Sequence, residues 1–293
     1  MHEIRRPTKL AIRLLAAFVF VCLLAAPASA WDKKYFTEQE REAIRQHLRY
    51  NLYGFGSFDH LTPHTDYGSR AGATIGFSAR VNDYLTPFVE TTAYVRTGGE
   101  LEPEGEGAAA SLGITLTPSD YFSSTTAVTF GSNSDFLPAW RVDQEFGIYL
   151  PLASEFTLGI HPGAFYARYF TENDIVGVFI GPALYFYRWA VGYTFTVSES
   201  YPGELTNYAH IGYVGYTDEG TYTSFLVFTF GDVNYEDQFA ATPEQVDEIY
   251  WEASWSHKYW IGVNWGLMGS LRYGQLSEAY EQFGGDLGLF YEF

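Results

Sequence analysis

The sequence predicts an all-β protein: a transmembrane antiparallel up-and-down β-barrel of about 14 strands, with 12 as the fallback count, preceded by a short N-terminal periplasmic helix. Three observations carry this prediction. Aromatic residues (24 Tyr, 24 Phe and 7 Trp among 293) form 19% of the chain and outweigh the charged ones at 18%, where an ordinary soluble domain carries about 25% charge. Apolar residues alternate with polar or small ones along most of the chain, the period of a strand with two unlike faces. Short and long connections alternate between these segments, as in barrels with tight periplasmic turns and longer outer loops.

Composition also excludes whole classes. Acids outnumber bases 35 to 17, for a net charge of −18, which opposes nucleic-acid binding because that affinity is built on Lys and Arg facing phosphates. Twenty-nine Gly against two Met and one Cys is unlike a helical enzyme. A bundle of membrane helices would need several apolar runs of about 20 residues, and the near-neutral mean hydropathy does not supply them.

Residues 1–30 read as a cleaved secretory signal peptide. Arg5, Arg6, Lys9 and Arg13 form the basic region, Leu14–Ala26 the apolar region, and Ala28-Ser29-Ala30 the small-x-small cleavage site. A retained anchor helix is disfavoured because Pro27 and Ala30 end the run, and a lipoprotein site at Cys22 because Val21 precedes it. Cleavage removes four bases, one acid and the only cysteine, taking the net charge from −18 to −21. An exported chain without disulfides needs another source of stability, and a closed sheet with every edge paired is one.

Residues 31–47 read as a periplasmic helical segment. Thr37 and Glu40 form a capping box, with Glu38, Glu40 and Glu42 in the first turns and a thin stripe of Ala43, Ile44, His47 and Leu48. So short a stripe suits a helix leaning on something larger, such as a periplasmic partner.

From residue 48 to 293 the period is two. Trp140, Val142, Phe146, Ile148 and Leu150 share a face interrupted only by Gln144; Arg141, Asp143, Glu145, Gly147 and Tyr149 share the other. Trp189–Val197 and Ile249–Ser256 repeat the pattern. Phe283, Gly285, Leu287, Leu289, Tyr291 and Phe293 alternate with Gly284, Asp286, Gly288, Phe290 and Glu292. Short turns are expected near Asn82-Asp83, Pro118–Asp120, Leu152–Glu155, Tyr187-Arg188, Asp218–Gly220 and His257-Lys258. Longer, often acidic loops are expected at Gly98–Gly107, Ser132–Pro138, Thr171–Asp174, Ser198–Glu204, Asp232–Glu248 and Gly274–Gln282. With an opening strand at Leu48–Phe58 the count is fourteen. A soluble lipocalin-like barrel or sandwich would bury its aromatics. Here Trp140, Trp189, Trp251, Trp255, Trp260 and Tyr291 sit near strand ends, where they fit membrane-interface girdles. Leu289, Tyr291 and Phe293 form the pattern read by the barrel assembly machinery, so the expected location is the Gram-negative outer membrane, in contact with its lipid and lipopolysaccharide.

The stretches FLPAWRVDQEFGIYLP (Phe136–Pro151), IGPALYFYRWAVGYTFTVS (Ile180–Ser198) and the terminal LGLFYEF resemble the YaiO family of outer-membrane β-barrel proteins. The resemblance covers residues 110–293 in strand order and turn placement. It implies a porin-like envelope protein associated with polysaccharide systems or polysaccharide export, and it brings no catalytic motif.

The residues leave two classes of function open. A channel would be lined by the polar face, with Arg96, Arg141, Asp143, Glu145, Arg168, Glu252, Lys258, Arg272 and Asp286, joined by Glu292, as the lumen candidates. Such charges either set the selectivity of a pore or pair across a narrow lumen and plug it, and fourteen strands lie between filled and open barrels. The alternative is a lipid- or polysaccharide-modifying enzyme, or a structural barrel that binds a partner through its helix. Of the histidines left after cleavage (His47, His60, His64, His161, His210 and His257), none carries a catalytic pattern: Ser256 and His257 are sequence neighbours whose side chains face opposite ways on a strand. Asp59, His60, His64 and Asp66 are the densest ligand-like cluster, with a spacing that matches no metal motif. No catalytic residue, metal or cofactor is expected.

Overall fold

A computed structural model describes residues 48–62, 68–98, 105–132, 137–170, 173–201, 205–218, 221–237, 244–277 and 280–293. The leader at 1–30, the helix read over 31–47 and much of the long connections lie outside the described residues. The strands are β1 (Tyr50–Thr62), β2 (Ser69–Ala79), β3 (Leu85–Thr97), β4 (Gly105–Ser119), β5 (Phe122–Gly131), β6 (Pro138–Ala153) and β7 (Phe156–Tyr169). They continue as β8 (Asp174–Phe186), β9 (Trp189–Tyr201), β10 (Leu205–Asp218), β11 (Tyr222–Asp237), β12 (Glu244–Trp260), β13 (Trp265–Leu276) and β14 (Tyr280–Glu292). Each pairs antiparallel with its sequence neighbours, and β1 pairs with β14, so the 14 strands close into one barrel.

The closing ladder runs from Asn51 opposite Glu292 to Thr62 opposite Glu281. At its short-turn end, the backbone N–H groups of Arg49 and Tyr50 donate to the Phe293 carbonyl. Closure pairs the backbone of both would-be edges, which is what a chain without disulfides and with an apolar outer surface requires.

The two faces are inverted relative to a soluble protein. Leu287 is 71% exposed, and Val178 and Leu226 are each 57% exposed, all on the outward side. The guanidinium of Arg272, on the inward side, is only 19% exposed. Such an apolar outer band is stable only against lipid. Charges on that face stand near strand ends: Arg168 with Asp174 on β7 and β8, and Asp232 on β11. A polar group on the middle of this face needs partners in place, because hydrocarbon supplies none. Gln144, the interruption in the β6 apolar face, accepts from Thr126 Oγ1 at 2.5 Å and donates to Ser124 Oγ at 2.9 Å.

Three sequence readings change. The connection expected at Asp232–Glu248 is strand as far as Asp237 and again from Glu244, because β11 and β12 go on pairing beyond their apolar stretch. The expected turn at His257-Lys258 is strand: β12 runs to Trp260, and the bend occupies 261–264, where Val263 is 4% exposed. The polar Ser-His-Lys run looks like a turn because strand polarity here reflects alternate faces. The apolar bend is hidden because its residues pack. Trp260, expected in an outer girdle, faces inward, 5.2 Å between ring centroids from Phe290.

Candidate functional site

Strand register sorts every candidate by face, because directly paired residues point the same way. Ser57 pairs with Asp286 and Asp59 with Gly284. Following the ladders around the barrel puts Arg96, Arg141, Asp143, Glu145, Glu252, Lys258, Arg272, Asp286 and Glu292 on the inward face. Arg168 falls on the other face. It pairs with Trp140 and Asp174, and its Nε lies 3.9 Å from Asp174 Oδ1 at the outer rim. The register shift between Pro138 and Trp140 moves the strand pairing there, a feature that no composition pattern announces. Leu289, Tyr291 and Phe293 line the outward face at the end of the last strand, with the Tyr291 and Phe293 rings 5.5 Å apart.

The inward charges form compact groups along the wall. Arg272 on β13 reaches across β14 to Asp59 on β1, with Nε to Oδ1 at 2.5 Å and Nη2 to Oδ2 at 3.0 Å. Its Nη1 bonds Asp286 on β14 at 3.1 Å, and Asp286 also accepts from Ser270. One planar guanidinium thus ties three strands across the closing ladder, a geometry that lysine cannot reproduce. On β6, Arg141 clamps Asp143 through Nη2 at 2.6 Å and Nε at 2.8 Å, with its guanidinium carbon 4.5 Å from the Phe165 ring centroid. Near the short-turn end, Lys258 Nζ bonds Glu292 at 2.7 Å and lies over the Phe290 ring at 4.0 Å. Tyr250 donates to Glu252 at 2.6 Å, and Tyr53 to Glu90 at 2.5 Å. The pairs of Arg141, Lys258 and Arg272 all stay within a strand or between strands at most two apart. They brace the wall and do not cross the barrel.

Sequence reasoning missed the inward rings. It assigned the aromatics to an outer band, yet many face inward, and several of these stand directly opposite a glycine in the register. Tyr53 faces Gly76, Phe88 Gly113, Phe179 Gly163, Phe165 Gly177, Tyr213 Gly192, Phe225 Gly215 and Phe290 Gly266. A Cβ built on Gly163 would lie 2.1 Å from Phe179 Cζ, and one on Gly177 would lie 2.3 Å from Phe165 Cε1. The rings therefore lie over the glycine backbone and occupy the wall. The signal was the Gly-aromatic content itself, but only the register tells which glycine meets which ring. Gly177→Ala is expected to push the Phe165 ring off the wall while the barrel still folds, since a side chain can yield where backbone cannot. Reconstituted in a planar bilayer, this variant should show smaller ion steps than the parent; steps of unchanged size would refute the arrangement.

Cavities remain between the wall groups. One of about 530 Å³ is lined by Asp59, Glu90, Tyr94, Arg272 and Asp286, among others. A second, of about 420 Å³, has small inward groups at Thr74, Thr92, Ala109 and Gly131. A third, of about 430 Å³, lies by Phe225, Lys258, Trp260 and Ser270.

The histidines divide by face. His161 is inward, with Nε2 3.1 Å from Tyr185 Oη and Nδ1 3.4 Å from Glu145. His210 is outward, bonded to Tyr193 Oη at 2.6 Å. The dense Asp59–Asp66 cluster splits: Asp59 points inward to Arg272, His60 points outward, and His64 and Asp66 lie outside the described residues. Among the described residues, no three His, Cys, Asp or Glu come together as metal ligands. His60 Nδ1 approaches Ser69 Oγ at 3.4 Å on the outward face, a Ser–His contact that the sequence did not point to.

The sequence matches no described protein family, and no curated protein matches it. The fold is similar to that of the CymD monoaromatic hydrocarbon channel, with 11% identity and a TM-score of 0.54 over 86% of this chain and 91% of that one. It also aligns with the outer membrane protein OprD from Pseudomonas aeruginosa at 8% identity and a TM-score of 0.48, over 84% and 93% of the two chains. The KdgM porin in complex with disordered oligogalacturonate aligns at 12% identity and a TM-score of 0.43, over 82% and 99%. The likeness to CymD is one of fold: a closed antiparallel β-barrel.

Proposed function

We propose that this barrel is a non-enzymatic channel for small hydrophilic solutes, in an envelope pathway that handles sugars. The observation that carries the reading is the wall itself. Rings laid over opposed glycines and ion pairs bonded along the strands keep bulky groups beside the wall, leaving cavities of about 420–530 Å³. Plugging would instead pair charges across the barrel. The acid excess of the chain favours cations over anions at the mouth. The link to polysaccharide rests on the YaiO-like stretches, and the resemblance brings no activity with it. Leu289, Tyr291 and Phe293 would serve recognition by the assembly machinery, and the outer band would meet lipid and lipopolysaccharide.

The competing reading, a hydrolase acting on outer-leaflet lipid, has the His60–Ser69 contact in its favour. At 3.4 Å that contact is long for a proton-sharing pair, and Ser69 is only 8% exposed. Planar-bilayer recording of the purified mature chain separates the two. Discrete ion steps, with lipid A mass unchanged between the parent and Ser69→Ala, support the channel. A silent barrel whose expression alters lipid A mass in a Ser69-dependent way would replace it with the enzyme.

A further inference from the structure

Phe55 differs from the inward rings named above in what lies opposite it on β2. Its register partner on β2 is Thr74, whose side chain fills the place that glycine leaves free beneath the others. Its partner on β14 is Gly288, where the nearest atoms to a built Cβ are the Gly54 carbonyl oxygen at 2.2 Å, Phe55 Cβ at 2.5 Å and Phe55 Cα at 2.7 Å. The ring is parallel to that of Tyr53, with an interplanar angle of 6° and centroids 6.4 Å apart. Phe55 lines all three cavities, those of about 420, 430 and 530 Å³. The first spreads over β2–β5 and the second over β11–β14, on opposite sides of β1. One ring therefore stands where the cavities meet.

The groups around it define what it can hold. Asp286 borders the cavities of about 430 and 530 Å³, and Thr74 and Thr92, their hydroxyls 2.9 Å apart, border those of about 420 and 530 Å³. A carboxylate keeps acceptor capacity beyond the bonds from Ser270 and Arg272. An apolar ring face flanked by a few hydroxyl and carboxylate groups suits a solute with one C–H face and a hydroxyl rim. A pyranose sugar has that build; an acyclic polyol has the hydroxyls without the face.

We propose that Phe55 is the constriction residue of the lumen and the stacking platform for a sugar ring in transit. This rests on the channel reading above and deepens it by naming the solute class. The test is single-channel recording of the full mature chain in potassium chloride, with maltose or sorbitol added on one side. The parent should conduct, be blocked by maltose in a concentration-dependent way, and be indifferent to sorbitol. Phe55→Ala should give larger steps and weaken the maltose block by about tenfold, which corresponds to about 1.4 kcal/mol. Phe55→Trp should give smaller steps and keep the block, and it decides the matter if the alanine variant does not fold. A conducting parent whose step size and maltose block are the same in the variants overturns the role of Phe55 and leaves the channel standing. Equal block by sorbitol overturns the sugar-ring platform. A silent parent overturns the channel reading and this inference with it.

Discussion

Arg272→Ala is expected to lower barrel stability by about 3–5 kcal/mol, the range for removing one partner of a buried, hydrogen-bonded ion pair. The side chains left behind, Asp59 and Asp286, are 14% and 20% exposed. They would lie on β1 and β14 without the guanidinium that joins them, leaving Arg70, opposite Asp59 on β2, as the neighbouring cation. Truncation thus removes the tie across the closing ladder and adds like-charge repulsion at the same place. Urea unfolding in lipid vesicles, followed by tryptophan fluorescence, measures the effect. Arg272→Lys should recover only part of the loss, because an ammonium cannot make the paired bonds to Asp59 while also reaching Asp286. Replacing the whole triad together (Arg272→Met, Asp59→Asn, Asp286→Asn) should be far milder than Arg272→Ala alone, since the uncompensated charges go as well. An Arg272→Ala barrel within about 1 kcal/mol of the parent, the range of exposed surface pairs, would show that the triad does not brace the seam.

Gly288→Ala is the second large effect. A Cβ there would lie 2.2 Å from the Gly54 carbonyl oxygen and 2.5 Å from Phe55 Cβ. Neither group can rotate away, so β1 and β14 must separate locally. Overpacking of this kind costs about 1–3 kcal/mol, and here it falls on the ladder that closes the sheet. The expected result is a lower urea midpoint and less heat-resistant barrel on gels. Gly212→Ala is the matched control, because its Cβ meets nothing within 4 Å. If the two variants unfold alike, close backbone approach at Gly288 is not a constraint.

Much of this architecture was legible in the residues. Alternation at Trp140–Leu150 and along the last strand separated the two faces without knowledge of pairing, because a lipid-facing wall admits little else. The inward charges Arg141, Asp143, Arg272 and Asp286 followed from the same parity. What stayed hidden depends on register, which single-strand periodicity does not contain. Arg168 is an exception of another kind: alternation along β7 already places it outward with Tyr166 and Ala164, in the same register as the rest of that ladder. The glycine seats of Phe165 and Phe179 need two strands to be aligned before either means anything. Phe55 required more still: it emerges only from the threonine opposite it on β2 and from the three cavities that it borders.

The β1–β14 ladder also bears on the order in which the barrel can form. Its two strands are the most distant in sequence, so all other pairs, each between sequence neighbours, can form by local hairpin closure first. The entropy of bringing such remote ends together grows only with the logarithm of the intervening length, but contacts of high sequence separation slow folding. Until β14 meets β1, the growing sheet has two open edges, each able to recruit another chain. The Arg272–Asp59 bonds and the Phe293–Tyr50 backbone bonds become available only at that last step. They would act as a latch: absent from the intermediates, present only in the sealed form, and therefore felt mainly in how slowly the finished barrel reopens.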